Sequence, residues 1–190
     1  MVLDRSTGAS VEEIADTRNV YADYAYYGAP MVSSPGHVVA FSDGQFVTSV
    51  SLEENFHPRV LIRYDIAAGA VSWTTADGYI TAPAVSQGKV FAASNTVGRL
   101  DAIDEATGSV QWSWPAPAGE QFIRNIVAAN NLVFVSTDRA VYAIDMATHQ
   151  SVWSVASPGG LAIASQKVLL IASPASRDNT VATLTAIRLG

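Results

Sequence analysis

The sequence predicts an all-β fold made of repeated four-stranded units, and two observations lead to this prediction. Apolar runs of four to seven residues, rich in Val, Ile, Ala and aromatic residues, alternate with Gly, Asn, Asp and Ser along the chain. A short pattern also recurs with a period of about 40 residues. Only "SVEEIADTRNVYADY", near the N-terminus, could sustain a helical period over ten residues.

The recurring pattern occurs as "RYDIAAGAVSW", "AIDEATGSVQW" and "AIDMATHQSVW". In each copy an aspartate lies eight residues before a tryptophan, and an alanine follows the aspartate by two positions. The three tryptophans are 39 and 41 residues apart. Because a chain of 190 residues would rarely need one catalytic motif three times, the pattern indicates a structural unit.

Upstream of the pattern lies one apolar segment in four versions, "GHVVAFS", "GKVFAAS", "NLVFVST" and "QKVLLIAS". Each version is preceded and followed by another apolar run, so that a unit contains about four short strands. Four-stranded units of this period are typical of β-propeller blades. We place a single domain at 1–190, residues 1–15 at the end of a preceding blade, and four blades at 26–75, 79–114, 122–155 and 159–190.

The residues of the pattern are expected to have structural roles in a tight hairpin. The Asp104 carboxylate can accept local backbone N–H bonds, and the Thr107 hydroxyl can join the same turn. Gly108 supplies a position that needs a positive φ, and His149 replaces it in the third copy. Trp112 then lies on the outer strand and buries its indole against the neighbouring blade.

The outline Ala-x-Asp-x-x-Thr-Gly-x-x-x-Trp resembles the PQQ-type β-propeller repeat of quinoprotein dehydrogenases and of the outer-membrane assembly lipoprotein BamB. The resemblance extends over roughly 26–190. In this family the pattern fastens adjacent blades, which implies the same structural role for ten residues of this chain. These residues are Asp65, Gly69, Trp73, Asp104, Thr107, Gly108, Trp112, Asp145, Thr148 and Trp153.

The sequence departs from the family pattern at several positions. Ala68 replaces the threonine of the first copy, and His149 replaces the glycine of the third. The N-terminal "VLDRSTGASVEE" has Glu12 at the tryptophan position, and Arg188 occupies the aspartate position of the last unit. Both termini therefore fall on a third strand. We expect part of a seven- or eight-bladed ring, with a closed four-bladed ring or a ring shared by two chains as alternatives.

The composition argues against several classes of function. The chain has 17 acidic and 11 basic residues, a net charge of −6 and only two lysines, so a nucleic-acid or anionic-membrane surface is not expected. The absence of cysteine excludes disulfides, cysteine-bound metal centres and a thiol nucleophile. The sequence contains neither an apolar run long enough to span a membrane nor a recognisable signal peptide. A periplasmic or extracellular location is implied by the family resemblance alone.

Two groups of residues outside the repeat pattern could bind a ligand. His57 lies beside Glu53 and Glu54 in "ENFHPR", where a metal or acid–base site is conceivable, although a solvated loop is the simpler interpretation. The segment "YADYAYY" could form an aromatic platform for a glycan or peptide, or could pack between blades. Its tyrosines are Tyr21, Tyr24, Tyr26 and Tyr27.

The favoured function is a noncatalytic scaffold that binds a protein or small ligand and carries no cofactor. The alternatives are a fragment of a PQQ- and Ca²⁺-dependent dehydrogenase and a glycan-binding propeller. Enzymes of the resembling family hold the quinone and Ca²⁺ at the ring axis, using an acidic catalytic residue and often an adjacent-cysteine disulfide. No acidic residue here aligns with such a position, and the repeated aspartates are expected to serve the turns. Self-association, or further blades of a longer chain, would cover faces that a partial ring leaves exposed.

Overall fold

A computed structural model of the chain describes residues 2–3, 6–12, 31–32, 36–42, 60–164, 167–175 and 181–189. Within these residues the secondary structure consists of β-strands and turns, without any helix. The predicted all-β fold is confirmed, and the sheets have the arrangement expected of part of a PQQ-like propeller.

The strands follow one another as antiparallel meanders, in the order in which they occur in the sequence. A hairpin of two strands precedes four larger sheets, which we call blades 1 to 4. The hairpin contains β1 (Val2–Leu3) and β2 (Ser10–Glu12). Blade 1 contains β3 (Met31–Val32), β4 (His37–Ser42), β5 (Val60–Asp65) and β6 (Ala70–Thr74). Blade 2 contains β7 (Ala84–Ser86), β8 (Lys89–Ser94), β9 (Arg99–Asp104) and β10 (Val110–Pro115).

The last two sheets continue the same pattern. Blade 3 contains β11 (Phe122–Ala129), β12 (Leu132–Thr137), β13 (Val141–Asp145) and β14 (Ser151–Val155). Blade 4 contains β15 (Gly160–Ala164), β16 (Val168–Ser173) and β17 (Thr183–Arg188). Blades 1 to 3 therefore have four strands each, and blade 4 has three strands in the part of the chain that the structure describes.

The hydrophobic core lies between the blades, because each sheet packs its faces against its neighbours. The second strands, β8 and β12, are buried along almost their whole length, which explains their nearly continuous apolar sequences. One row of paired residues on blade 2, Ala84–Phe91–Ala102, belongs to the cluster shared with blade 3. The row at the same positions of blade 3, Val127–Phe134–Ala143, belongs to the cluster shared with blade 4. The repeated sequence thus produces a repeated interface.

The first strands of blades 2 to 4 lie side by side, because β11 contacts both β7 and β15. A parallel bridge joins the segment before β7 to β11: the Ala82 N–H donates to the Arg124 carbonyl at 3.3 Å, and the Ile126 N–H donates to the Ala82 carbonyl at 3.1 Å. At this bulge Arg124 has a φ of +66°. The two extra residues, Arg124 and Asn125, bend β11 so that its backbone reaches the preceding blade.

Two asparagine side chains add further bonds between blades. Asn95 accepts the Phe122 N–H at 2.8 Å and donates to the Phe122 carbonyl at 3.1 Å. Asn125 makes the same pair of bonds with Leu161, at 3.0 and 2.8 Å. An amide group can satisfy a donor and an acceptor of one residue at once, so each asparagine replaces a short piece of β-ladder. These amides hold blade 2 to blade 3 and blade 3 to blade 4.

Candidate functional site

The repeated turn is built on the aspartate that ends the third strand. Asp104 Oδ1 accepts the backbone N–H groups of Ala106 and Thr107, at 3.1 and 2.8 Å, and the Thr107 hydroxyl at 2.9 Å. The Gly108 N–H donates to the Asp104 carbonyl at 2.8 Å, and Gly108 has a φ of +74°. Each of these contacts favours the ionised carboxylate or the turned backbone that follows it.

The other two aspartates accept the same backbone bonds. Asp65 accepts N–H groups from Ala67 and Ala68, at 2.9 and 3.0 Å, and Asp145 accepts them from the residues two and three positions after it, both at 2.8 Å. These donors lower the pKa of all three carboxyl groups below their usual range. Ala68 has no hydroxyl, so the first turn lacks the side-chain bond that Thr107 makes.

The indole of blade 1 lies on the turn of blade 2. Trp73 donates its Nε1–H to the Glu105 carbonyl at 2.9 Å, and only 9% of the residue is exposed. Its ring passes so close to Gly108 that a Cβ added there would lie 2.7 Å from the ring atoms Cγ and Cδ2. Position 108 therefore requires glycine for two reasons, the positive φ and the close approach of the indole.

A charge pair supports this contact. The Arg63 Nη2 atom lies 3.6 Å from Glu105 Oε1, and both side chains are only 11% exposed. Glu105 thus serves blade 1 twice, through its backbone carbonyl and through its carboxylate. The sequence analysis missed this residue, although a signal existed: the position after the repeated aspartate is Ile66 in the first copy and Met146 in the third, and only blade 2 carries an acid there.

The contact between blades 2 and 3 has a different geometry because His149 replaces the glycine. His149 has a φ of +59°. The Trp112 ring stacks on its imidazole with a centroid distance of 4.6 Å and an interplanar angle of 15°. The buried Trp112 Nε1–H has no acceptor among the described residues, whereas the Trp73 Nε1–H has one. Gly108 has no side chain, so the Trp73 indole can reach the backbone of its turn. The His149 imidazole occupies the corresponding space in the next turn, and the Trp112 indole stacks on this ring instead of donating a hydrogen bond.

The third indole makes a contact within its own blade. The Trp153 ring lies 5.7 Å from the Phe134 ring at an angle of 44° and belongs to the margin of the cluster between blades 3 and 4. It is less buried than Trp73. Among the described residues no turn of the repeat covers Trp153 as Gly108 and His149 cover the other two indoles.

A second polar cluster, which the sequence analysis also missed, lies around a fully buried acid in blade 2. Asp101 accepts hydrogen bonds from the Tyr79 hydroxyl at 2.9 Å, from Arg99 Nε at 2.8 Å and from the Ser113 hydroxyl at 2.5 Å. The same arginine pairs through Nη2 with Asp77 Oδ2 at 2.8 Å. A buried carboxylate needs such partners, and together they satisfy both of its oxygens. Burial and the nearby Asp101 raise the pKa of the Tyr79 hydroxyl.

Blade 3 carries a related cluster with the tyrosine and the acid exchanged. Here Tyr142 lies on the third strand and donates to Glu120 Oε1 and Oε2, at 2.9 and 3.0 Å. The Thr137 hydroxyl donates to the same carboxylate at 2.6 Å. Burial, followed by the contact with Glu120, raises the pKa of Tyr142. The sequence signal was the position three residues before the repeated aspartate, which is Asp101 in blade 2 but tyrosine in blade 3.

The remaining candidate residues of the sequence fall outside the part of the chain that the structure describes. Tyr21, Tyr24, Tyr26, Tyr27 and His57 lie outside the described residues, so the aromatic platform and the imidazole site stay predictions. Across the described ranges, no group of three or more His, Asp or Glu side chains could hold a metal ion. No helix in these ranges is long and apolar enough to cross a membrane.

The sequence that forms these turns and blades is matched by a family model described as outer membrane protein assembly factor BamB. The matches extend over residues 2–126 and 59–189, and so over nearly the whole chain. The chain belongs to this family of PQQ-like repeat proteins. The resemblance noted in the sequence is thereby confirmed. Among curated protein sequences, none matches the chain significantly.

Solved structures show the same fold at low sequence identity. BamB from Moraxella catarrhalis superimposes with a TM-score of 0.60 and 18% identity, over 83% of this chain and 42% of that one. A europium-containing methanol dehydrogenase gives a TM-score of 0.55 and 20% identity, over 71% of this chain and 26% of that one. The chain thus spans less than half the length of either protein. One of these proteins is BamB and the other is a methanol dehydrogenase, so the likeness establishes the fold alone.

The close approach at Gly108 predicts a specific loss of stability. We expect Gly108→Ala to lower the free energy of unfolding by about 1–3 kcal/mol more than Gly98→Ala does, because only the first adds overlap with an indole. Both glycines have a positive φ, +74° and +63°, so both substitutions strain the backbone. A Cβ at Gly98 meets nothing within 4 Å. Urea unfolding of the two variants gives the comparison, and equal losses would show that the indole contact adds nothing.

The lowered pKa of Asp104 predicts a pH-dependent contribution to stability. The carboxylate stabilises the folded state fully above its unfolded pKa of about 3.9, and this contribution is lost as the pH falls through the lower folded value. The stability difference between the wild type and Asp104→Ala should therefore be largest near neutral pH and shrink below pH ~4. Urea unfolding at a series of pH values measures it. A difference that stays constant down to pH ~2 would contradict the role assigned to the ionised carboxylate.

Proposed function

We propose that the chain is a noncatalytic binding scaffold of the bacterial cell envelope, formed by blades of a PQQ-like propeller. The observation that supports this proposal is that the acidic side chains form hydrogen bonds and ion pairs within the chain. Asp104 and its two counterparts accept bonds from their own turns, Asp101 is enclosed by three donors, and Glu105 pairs with Arg63. A carboxylate that binds a metal or removes a proton must direct its lone pairs at the ligand. These carboxylates direct them at the chain itself.

The description of the matching family supports a protein as the partner. It names an outer membrane protein assembly factor, and a factor in the assembly of proteins is expected to contact proteins. We infer an envelope location from the same description, with an extracellular location as the alternative. The chain spans 42% of the solved BamB. Any activity of a complete protein of that kind is therefore only proposed for this chain.

A fragment of a PQQ- and Ca²⁺-dependent dehydrogenase is the second candidate, and one observation favours it. The fold of this chain is also that of a europium-containing methanol dehydrogenase. The described residues fit a quinone and a metal poorly, because their buried acids, Asp101 and Glu105, already have internal partners. The scaffold is therefore the better supported function. Glycan binding through Tyr21 and its neighbours remains a prediction on residues outside the described part.

Two measurements on the purified chain separate these functions. Addition of PQQ and Ca²⁺ is expected to leave the melting temperature and the visible spectrum of the quinone unchanged. The immobilised chain is expected to retain one envelope protein from detergent-solubilised bacterial envelopes, and the purified partner should then bind it saturably. An unrelated propeller of similar size and charge is the control for this binding.

Opposite results would contradict the proposal. A saturable spectral shift of the quinone, with reduction of a dye upon addition of an alcohol, would establish the dehydrogenase instead. Retention no stronger than that of the control propeller would argue against a protein-binding scaffold.

A further inference from the structure

Arg124 has an uncommon backbone conformation for a residue with a long side chain. Its φ of +66° lies in the left-handed region, where a residue with a Cβ is strained. Together with Asn125 it forms the bulge of β11, and its side chain is exposed. A strained residue persists only where its surroundings fix it, and such residues are frequent at binding sites. A functional reason is therefore expected for this conformation.

Contacts with both neighbouring blades fix the backbone of this bulge. Toward blade 2, the Arg124 carbonyl accepts the Ala82 N–H at 3.3 Å, and the Ile126 N–H donates to the Ala82 carbonyl at 3.1 Å. Toward blade 4, the Asn125 amide makes its two hydrogen bonds with the backbone of Leu161. The position of the Arg124 backbone is thus set by three blades, and none of these bonds uses its guanidinium.

Blade 2 shows that the fold does not require this strain. The Ile80 N–H donates to the Ala93 carbonyl at 3.0 Å, just as the residue before Arg124 pairs with β12, so Thr81 is the residue that corresponds to Arg124. Thr81 has no positive φ and is fully buried, and its hydroxyl accepts the Ala93 N–H at 2.9 Å. In blade 3 the left-handed conformation instead accompanies a side chain that is exposed to solvent.

The charge of Arg124 is isolated on the surface formed by the first strands. Arg124 is the only charged residue in β7, β11 and β15, which lie side by side. Arg63 and Arg99 pair with carboxylates, whereas the Arg124 guanidinium has neither an ion pair nor a hydrogen bond among the described residues. A guanidinium presents parallel N–H donors that match a carboxylate. A phosphate, which carries close to two negative charges, is bound by clusters of cations, and these strands offer a single one.

We propose that Arg124 binds a carboxylate side chain of the protein that this scaffold recognises. The inference rests on the proposed function and adds the chemistry by which the partner is selected. The net charge of −6 repels acidic ligands in general, so that a carboxylate is attracted only where it is placed opposite Arg124. Arginine is also among the residues that contribute most to binding at the centre of protein interfaces. Arg124 thereby gives an otherwise uncharged surface its specificity.

Affinity and thermal stability, measured on the same variants, test this role. The probe is the envelope protein that the immobilised wild type retains, after its purification. Arg124→Gln is expected to raise the Kd for this protein about tenfold or more, and this ratio should shrink in about 1 M NaCl because charge pairs are screened. The control Arg188→Gln removes an equal charge from an exposed residue of β17, and its Kd should change less than about twofold.

The melting temperature separates binding from a structural role. Arg124→Gln keeps the strain and should leave the melting temperature unchanged within about 1 °C. Arg124→Gly relieves the strain, so that its melting temperature should rise by about 2–4 °C while its affinity falls as in Arg124→Gln.

Four results would overturn the role of Arg124. Wild-type affinity in Arg124→Gln would remove the role and leave the scaffold function standing, whereas a wild type that binds no envelope protein would remove both. A lowered melting temperature of the Arg124 variants would show that the guanidinium stabilises the fold. A loss of affinity that is equally large at high salt would show that shape rather than charge is recognised. Displacement of the partner by inorganic phosphate, but not by acetate at equal ionic strength, would identify a phosphate as the ligand.

Discussion

The contact on which the rest of the structure depends joins the indole of one blade to the turn of the next. A four-stranded sheet buries little by itself, so its apolar faces are stable only between neighbouring sheets. The Trp73 indole covers the turn of blade 2 and donates a hydrogen bond to Glu105, and the Asp104 carboxylate holds that turn in shape. One interaction therefore fixes both the turn and the spacing of the blades, and its residues recur with the period of the fold.

The comparison of two versions of this contact shows how the repeat tolerates change. Glycine at position 108 lets an indole reach the backbone, whereas His149 in the next copy offers its ring for stacking and leaves the Trp112 Nε1–H without an acceptor among the described residues. The blades remain packed in both cases because the apolar clusters beneath the turns are similar. A structural motif can thus vary in its polar contacts while the burial that it organises is kept.

The sequence was sufficient to predict the all-β fold and the PQQ-like repeat, because Asp, Gly and Trp recur at fixed distances. It was not sufficient to predict the clusters around Asp101 and Glu120. Apart from Arg99, the partners of each acid are 12–22 residues away in the sequence, and the clusters occur once each rather than in every repeat. Such contacts depend on the packing of distant segments, which periodicity does not report. The signal was only an unusual residue, Asp101 in blade 2 or Tyr142 in blade 3, at the strand position three residues before the repeated aspartate.

The central claim is that a hydrogen-bonded indole on a turn holds neighbouring blades together, and a comparison of Trp73→Phe with Trp112→Phe tests it most directly. Both variants lose similar apolar area, but only the first removes a donor from a buried carbonyl. Urea unfolding should show that Trp73→Phe lowers the free energy of unfolding by about 1–2 kcal/mol more than Trp112→Phe does. Equal losses, or a larger loss at Trp112, would contradict the account.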